Sequence, residues 1–359
     1  MKERIFILIN TLKTGGAEKQ SIYLFNALSK IFKVILVVYY GKQVDRRMLS
    51  LLDDNYKNSL LLLDGNHIIK LWRIYKLFKE DKGDVCISYL ATTNTINGII
   101  GWLASVQLRI GGLRSSKYTR GKLLVQRFLH NHLLSYSIFN NYKGYNVLTS
   151  KGFNPQKGIV IHNCIDIQEK VNRTDPQKQI TILSVGRFVE AKDYKTAFVA
   201  IKRIAHVCNI KYIVVGQGHL EYELRQFVKE SGLSQHVEFV VNPPEVDTYY
   251  KQADIYLSTS LFEGLSNSIM EAMSFGLPVI ATDVGDNNQL VLDGQSGFLT
   301  PIGNGELIAD RLLIIITDNK LRLSMGELGY KHIKEYYSID AFSNKYIELI
   351  NRLSNEFKA

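Results

Sequence analysis

Ile255-Tyr256-Leu257-Ser258-Thr259-Ser260-Leu261-Phe262-Glu263-Gly264-Leu265-Ser266-Asn267-Ser268-Ile269-Met270-Glu271-Ala272-Met273 reads as strand, loop and helix in quick succession. Ile255–Ser258 is a short apolar run of strand length, and Ser268–Phe275 carries apolar residues at helical spacing. The same alternation spreads outward on both sides. Strand-like runs recur at Ile180–Val185, Tyr212–Val215, Val237–Val241 and Pro278–Ala281. Helical patterns lie between them at Tyr194–Val207, Leu220–Ser231 and Val246–Gln252. Strands alternating with helices predict a parallel sheet covered on both faces.

The first half repeats the pattern. Arg4–Asn10, Lys33–Tyr40, Asp84–Tyr89 and Leu108–Leu113 read as strands. Helices are expected up to Lys30, near Thr95–Val106 and over Lys122–Tyr136, with Tyr145–Ser150 and Gly158–His162 closing the half. Asp166–Lys178 is polar and lacks apolar periodicity, so it reads as a linker. The expected fold is therefore α/β, with two Rossmann-like domains facing across a cleft: residues 1–166, then 167–337. In sheets of this kind ligands bind outside the carboxyl ends of the strands.

Composition narrows the class. The net charge is +10, and the positive excess lies wholly in residues 1–175. No Asp or Glu occurs between Asp84 and Asp166, a span that holds Arg109, Arg114, Lys117, Arg120, Lys122 and Arg127. Such asymmetry points to an anionic partner. Nucleic acid is set aside because it leaves the motifs of the second half without a role. Three scattered cysteines suit a reducing compartment. The apolar runs at the N-terminus and at Thr95–Val106 are too short for a signal peptide or a membrane span, so a cytoplasmic location is expected.

The motifs of the second half sit where strands end. Gly264 opens a helix whose first amides and positive dipole end suit a diphosphate. Glu271, one turn in, suits ribose hydroxyls, and Glu263 is free to reach a sugar. Ser268-x-x-Glu271 also has the form of a capping box, which would make Glu271 a helix-start residue. Arg187 and Lys192 follow the strand Ile180–Val185 and suit neutralisation of a departing diphosphate. Gly216-Gln217-Gly218 and Gly15-Gly16 are further strand-to-helix turns that allow close backbone approach.

Taken together, these residues resemble the retaining glycosyltransferases of family 4, which have the two-domain GT-B architecture, over essentially the whole chain. The resemblance rests on Gly15-Gly16-Ala17-Glu18, Asn163-Cys164-Ile165-Asp166, Gly186-Arg187 with Lys192, and Gly216-x-Gly218. It continues through Glu263-x7-Glu271 and Gly276-x-Pro278-Val279-Ile280-Ala281-Thr282. It implies a nucleotide diphosphate sugar as donor, with uridine the default base and guanosine the second. Arg187, Lys192 and Glu263 become the expected catalytic set. Gly15, Gly16, Gly216, Gly218, Gly264, Leu265, Ser266, Asn267 and Glu271 become the expected donor contacts. No cofactor or metal is expected, and a C-terminal helix, residues 338–353, is expected to return to the first domain.

Two departures bear on specificity. Arg114 stands where many relatives carry a histidine, and Asp286 and Gln289 replace a glycine and a glutamate. The basic residues Arg109, Arg114, Lys117, Arg120, Lys122 and Arg127 are expected on the acceptor or membrane side, toward a polyprenyl-diphosphate-linked glycan of surface polysaccharide and an anionic inner membrane face. His130 and His132 are expected on a helix surface. A catalytically inert partner of another transferase and a sugar-nucleotide epimerase are the alternative readings.

Overall fold

The computed structural model describes residues 3–80, 84–115, 118–171 and 179–358, with side chains described as far as residue 353. The chain divides into two units, residues 1–164 with 339–359, and residues 165–338.

The first unit is built on β1 (Arg4–Ile9), β2 (Lys33–Val38), β3 (Leu60–Leu62), β4 (Val85–Tyr89), β5 (Leu108–Leu113), β6 (Tyr136–Phe139) and β7 (Gly158–Val160). They form a sheet in the order β3-β2-β1-β4-β5-β6-β7, parallel throughout. Its strands are apolar on both faces, as a sheet covered by helices on both sides requires. Helix Gly16–Ser29 and the C-terminal helix Ile339–Lys358 share one core, where Phe25 and Leu28 meet Phe342, Tyr346 and Ile350. Helix His67–Glu80 seals a second core through Ile74 and Phe78.

Helix Leu90–Leu103 is tied to the sheet by a buried polar network. Asn94 Nδ2 donates to Gly112 O at 2.9 Å, and Gly112 N–H donates back to Asn94 Oδ1 at 3.1 Å. Asn97 Nδ2 donates to Cys86 O and Ile110 O, both at 3.0 Å. A Cβ at Gly112 would lie 2.8 Å from Ser88 O, so this approach needs glycine in β5. The network fixes where β5 delivers Arg114.

The second unit contains β8 (Ile180–Val185), β9 (Ile210–Gly216), β10 (Val237–Val241), β11 (Ile255–Ser258), β12 (Val279–Thr282) and β13 (Gly297–Thr300). The order is β10-β9-β8-β11-β12-β13, again parallel. Strand order reverses between β1 and β4 in the first sheet, and between β8 and β11 in the second.

Several expectations change here. The helix expected over Lys122–Tyr136 runs from Arg120 to Phe128 and ends in a single wide turn, Leu129–Leu133, before β6. His130 is not on a helix surface. It is fully buried, 2.8 Å from Ser137 Oγ and 2.9 Å from Asn154 O, and that pairing closes the turn. Part of the expected linker, residues 172–178, lies outside the described residues, as does Lys117. Among the described residues no helix is long and apolar enough to cross a membrane.

Helix Asn319–Tyr337 carries Gly326 against the end of helix Asn267–Ser274, where a Cβ would lie 2.1 Å from Gly276 O. Gly326→Ala is expected to lower stability by about 1–3 kcal/mol, the usual cost of overpacking. Urea unfolding of the variant beside the wild type checks this.

Candidate active site

In the second unit four loops leave the carboxyl ends of β8, β9, β11 and β12, and the sequence-predicted residues sit on them. Gly186 and Arg187 follow β8. A single turn, Glu190–Lys192, comes next, so Lys192 precedes helix Tyr194–Ile204 instead of starting it. Asp193 takes the left-handed conformation at φ 43°, held where Thr259 Oγ1 donates to Lys192 O (3.0 Å) and Asp193 O (2.9 Å). The loop after β11 thus pins the turn after β8.

Across the reversal of strand order, Lys192 Nζ pairs with Glu263 Oε1 at 2.5 Å. Ser260 Oγ donates to the same oxygen at 2.8 Å. The two charged side chains are only 20% and 15% exposed. Lys192 keeps N–H donors beyond the one directed at Glu263, since an ammonium has three. A Cβ at Gly186 would lie 3.1 Å from Lys192 Cε, so glycine leaves the path this side chain follows. Arg187 is exposed and, among the described residues, has no ion-pair partner.

Glu263 and Gly264 are braced from behind. Asp286 N–H donates to Gly264 O at 2.8 Å, and Gly285 is left-handed at φ 63°. A Cβ at Gly285 would lie 2.4 Å from Glu263 O, so a side chain there would push the loop out of place. Asp286 is buried, whereas the Gln289 side chain is exposed. The Gln289 carbonyl accepts from Tyr337 Oη at 2.7 Å and lies 3.0 Å from His332 Nε2.

Helix Asn267–Ser274 begins at Ser266, whose side chain makes no capping bond to the helix backbone. Ser268 already lies inside the helix, so Ser268-x-x-Glu271 is not a capping box. Met270 N–H makes the first intrahelical bond, to Ser266 O at 3.2 Å, which leaves the amides of residues 267–269 at the open end. Glu271 is half-buried and accepts from Tyr250 Oη at 2.8 Å. Burial and the neighbouring Glu271 carboxylate push the Tyr250 phenol well above its usual pKa, so it stays a donor. Sequence reasoning missed Tyr250, Thr259 and Ser260. Nothing in the local pattern of Val246–Gln252 marks Tyr250 as a partner of a residue two elements away.

Gly216 and Gly218 serve the chain itself. A Cβ would lie 1.9 Å from Gly186 O at the first and 2.3 Å from Phe188 O at the second. Their missing side chains admit the β8 exit loop. Gly15 and Gly16 lie in the first unit, after β1. A Cβ at Gly15 would meet Glu18 Oε2 at 2.4 Å.

The first unit has its own cavity at the carboxyl ends of β1, β4 and β5. It measures about 370 Å³ and is lined by Asn10, Leu90, Thr92, Arg114, Tyr118 and Lys122, among others. Leu90 is held at φ 74°, a strained conformation for a residue with this side chain. Arg114 Nη1 donates to Asn163 Oδ1 at 2.6 Å, and its guanidinium carbon lies 4.3 Å from the Tyr89 ring centre. Arg109 does not join this group. It lies at the opposite end of β5, where Nε donates to Leu133 O at 2.8 Å and Nη1 to Val106 O. Arg120 and Lys122 are exposed, and Arg127 Nη1 donates to Lys151 O at 3.2 Å. Among the described residues no group of three or more His, Cys, Asp or Glu side chains is placed to hold a metal ion.

Residues 166–332 match the family model described as Glycosyl transferases group 1. A Campylobacter jejuni protein named GalNAc-alpha-(1->4)-GalNAc-alpha-(1->3)-diNAcBac-PP-undecaprenol alpha-1,4-N-acetyl-D-galactosaminyltransferase is 25% identical, over 98% of this chain and 99% of its own. The lipopolysaccharide core biosynthesis glycosyltransferase LpsE of Rhizobium meliloti is 28% identical over 49% of this chain and 51% of its own. Among solved structures, Anabaena HepE in complex with UDP superposes with a TM-score of 0.82 at 18% identity, over 98% of this chain and 100% of that one. That likeness establishes the fold, two parallel-sheet domains of the GT-B type.

Tyr250→Phe is expected to lower stability by about 1–2 kcal/mol, since it deletes a buried donor to a carboxylate. Urea unfolding measures the loss; unchanged stability would show that the hydroxyl does not support Glu271.

Proposed function

The chain is a glycosyltransferase that carries a Glycosyl transferases group 1 domain over residues 166–332, and on that footing we propose its reaction. The enzyme moves a sugar from a UDP-sugar to a glycan carried on a polyprenyl diphosphate, with retention at the anomeric carbon, in surface polysaccharide synthesis. The observation that carries this reading is the convergence, where strand order reverses between β8 and β11, of Arg187, the Lys192–Glu263 pair and the open helix end before Glu271. The undecaprenol diphosphate in the Campylobacter relative's name and the UDP in the Anabaena structure support the choice of acceptor and base.

In this reading the bond between the anomeric carbon and the donor's β-phosphate oxygen breaks, and the electron pair leaves with UDP. Arg187, Lys192 and the amides of residues 267–269 meet the charge that grows on the diphosphate, so they bind the transition state more tightly than the ground state. Glu271 receives the ribose hydroxyls. Glu263 holds Lys192 with one oxygen and offers the other to the sugar. The acceptor oxygen takes the anomeric carbon and gives its proton to the departing diphosphate oxygen.

The first unit holds the acceptor. Arg114 and Lys122 supply positive charge at its cavity, in keeping with an acceptor that carries a diphosphate. Work at the cytoplasmic face of the membrane follows from a lipid-borne acceptor and an acid-free basic span.

Arg187→Ala is expected to cut turnover by about 100-fold or more with little loss of stability, because the residue is exposed. Near-normal turnover, read as UDP release, would sink the assignment. The leaving-group charge is met by side chains and amides, so turnover in EDTA is expected to equal turnover with added magnesium. Proton NMR of the product should show the donor's anomeric configuration; inversion would overturn retention. Donor consumed without acceptor would instead identify an epimerase, and no consumption an inert partner.

A further inference from the structure

Both tryptophans of the chain point outward from adjoining helices of the first unit. Trp72 on helix His67–Glu80 is 59% exposed, and Trp102 near the end of helix Leu90–Leu103 is 57% exposed. Helix Leu90–Leu103 packs against helix His67–Glu80 on one side and helix Arg120–Phe128 on the other. The third helix adds Phe128, 56% exposed, beside Leu124 and Val125. Helix His67–Glu80 is apolar on two sides: Ile74 and Phe78 face the core, while Ile68, Trp72 and Tyr75 share an outer stripe. A surface helix with one buried face normally turns charge outward, so this outer stripe needs an occupant.

Charge selects the occupant. Lys76 lies over the Trp72 ring at 5.5 Å, and Arg73 and Lys79 lie on the same helix. Lys122 and Arg127 lie on the third helix, and helix Leu90–Leu103 carries no charged residue at all. Glu80 is the sole acid on the three helices, and it pairs with Lys76. Aromatic rings with a polar edge, set among cations and exposed aliphatic side chains, match the interface of an anionic bilayer.

We propose that these three helices form a face that inserts Trp72, Trp102 and Phe128 into the acyl boundary of an anionic membrane leaflet. The inference rests on the membrane reading above and sharpens it. Contact is by apolar insertion across three helices, with Lys and Arg binding headgroups, and not by the charge of residues 109–127 alone.

Because these are the chain's two tryptophans, intrinsic fluorescence reports on this face directly. The full chain is mixed with vesicles of phosphatidylethanolamine and phosphatidylglycerol whose acyl chains carry bromine, and Trp72→Phe and Trp102→Phe assign the signals. Insertion predicts a blue-shifted emission that the bromine quenches at both positions. It also predicts at least about tenfold weaker binding for the Trp72→Ser, Trp102→Ser double variant in vesicle sedimentation. Vesicle binding without shift or quenching overturns insertion and leaves an electrostatic membrane contact standing. Absence of binding to anionic vesicles overturns both. A dimer that the double variant dissolves would assign the face to a second copy of the chain and overturn the proposal.

Discussion

A parallel sheet whose strand order reverses leaves a place at its carboxyl edge where two neighbouring loops part, and the second unit is organised around that gap. The loop after β8 brings a cation and the loop after β11 brings a carboxylate, and the pair Lys192–Glu263 spans the parting. Most nearby features serve to hold this pair. Thr259 clamps the carbonyls around Lys192, Ser260 shares the Glu263 oxygen, and Gly285 lets the β12 loop lie flat behind Glu263. A half-buried ion pair of this sort adds little net stability, because desolvation offsets much of the attraction. Its use here is to hold two charged groups at fixed positions next to an open helix end.

The first unit repeats the arrangement in another chemistry. Its reversal lies between β1 and β4, and the residue that leaves β4, Leu90, is strained. The cavity beside it gathers hydroxyls, an asparagine and two cations with no carboxylate among its lining residues. Arg114 reaches that cavity because Gly111 and Gly112 let β5 approach its neighbours closely. Such a site is suited to an anion held by its oxygens, while the second unit's site mixes both signs of charge.

Much of this was legible in the sequence. The runs Tyr212–Val215, Ile255–Ser258 and Val279–Ala281 stand out because strands covered on both faces are mostly apolar. Arg187, Lys192, Glu263 and Glu271 stand out because charged residues at such strand ends have no packing role. Three short strands, β3, β6 and β13, went unread. The amphipathic helix His67–Glu80 went unread although both its faces bear on the account. The glycines of Gly216-Gln217-Gly218 also make room for Gly186 and Phe188, which the local pattern does not reveal. Whether a glycine serves a ligand or a neighbouring loop depends on contacts distant in sequence, as does the Tyr250 bond to Glu271.

In the proposed reaction the β8–β11 edge of the second unit binds a nucleotide diphosphate, with Glu271 on the ribose. The most direct measurement is calorimetric binding of UDP, GDP and CDP to the wild type and to Glu271→Ala. UDP is expected to bind most tightly, and the variant to lose about tenfold or more of that affinity, the scale of one charged hydrogen bond. Binding of none of the three, or binding of UDP that is equally tight in the variant, would contradict it.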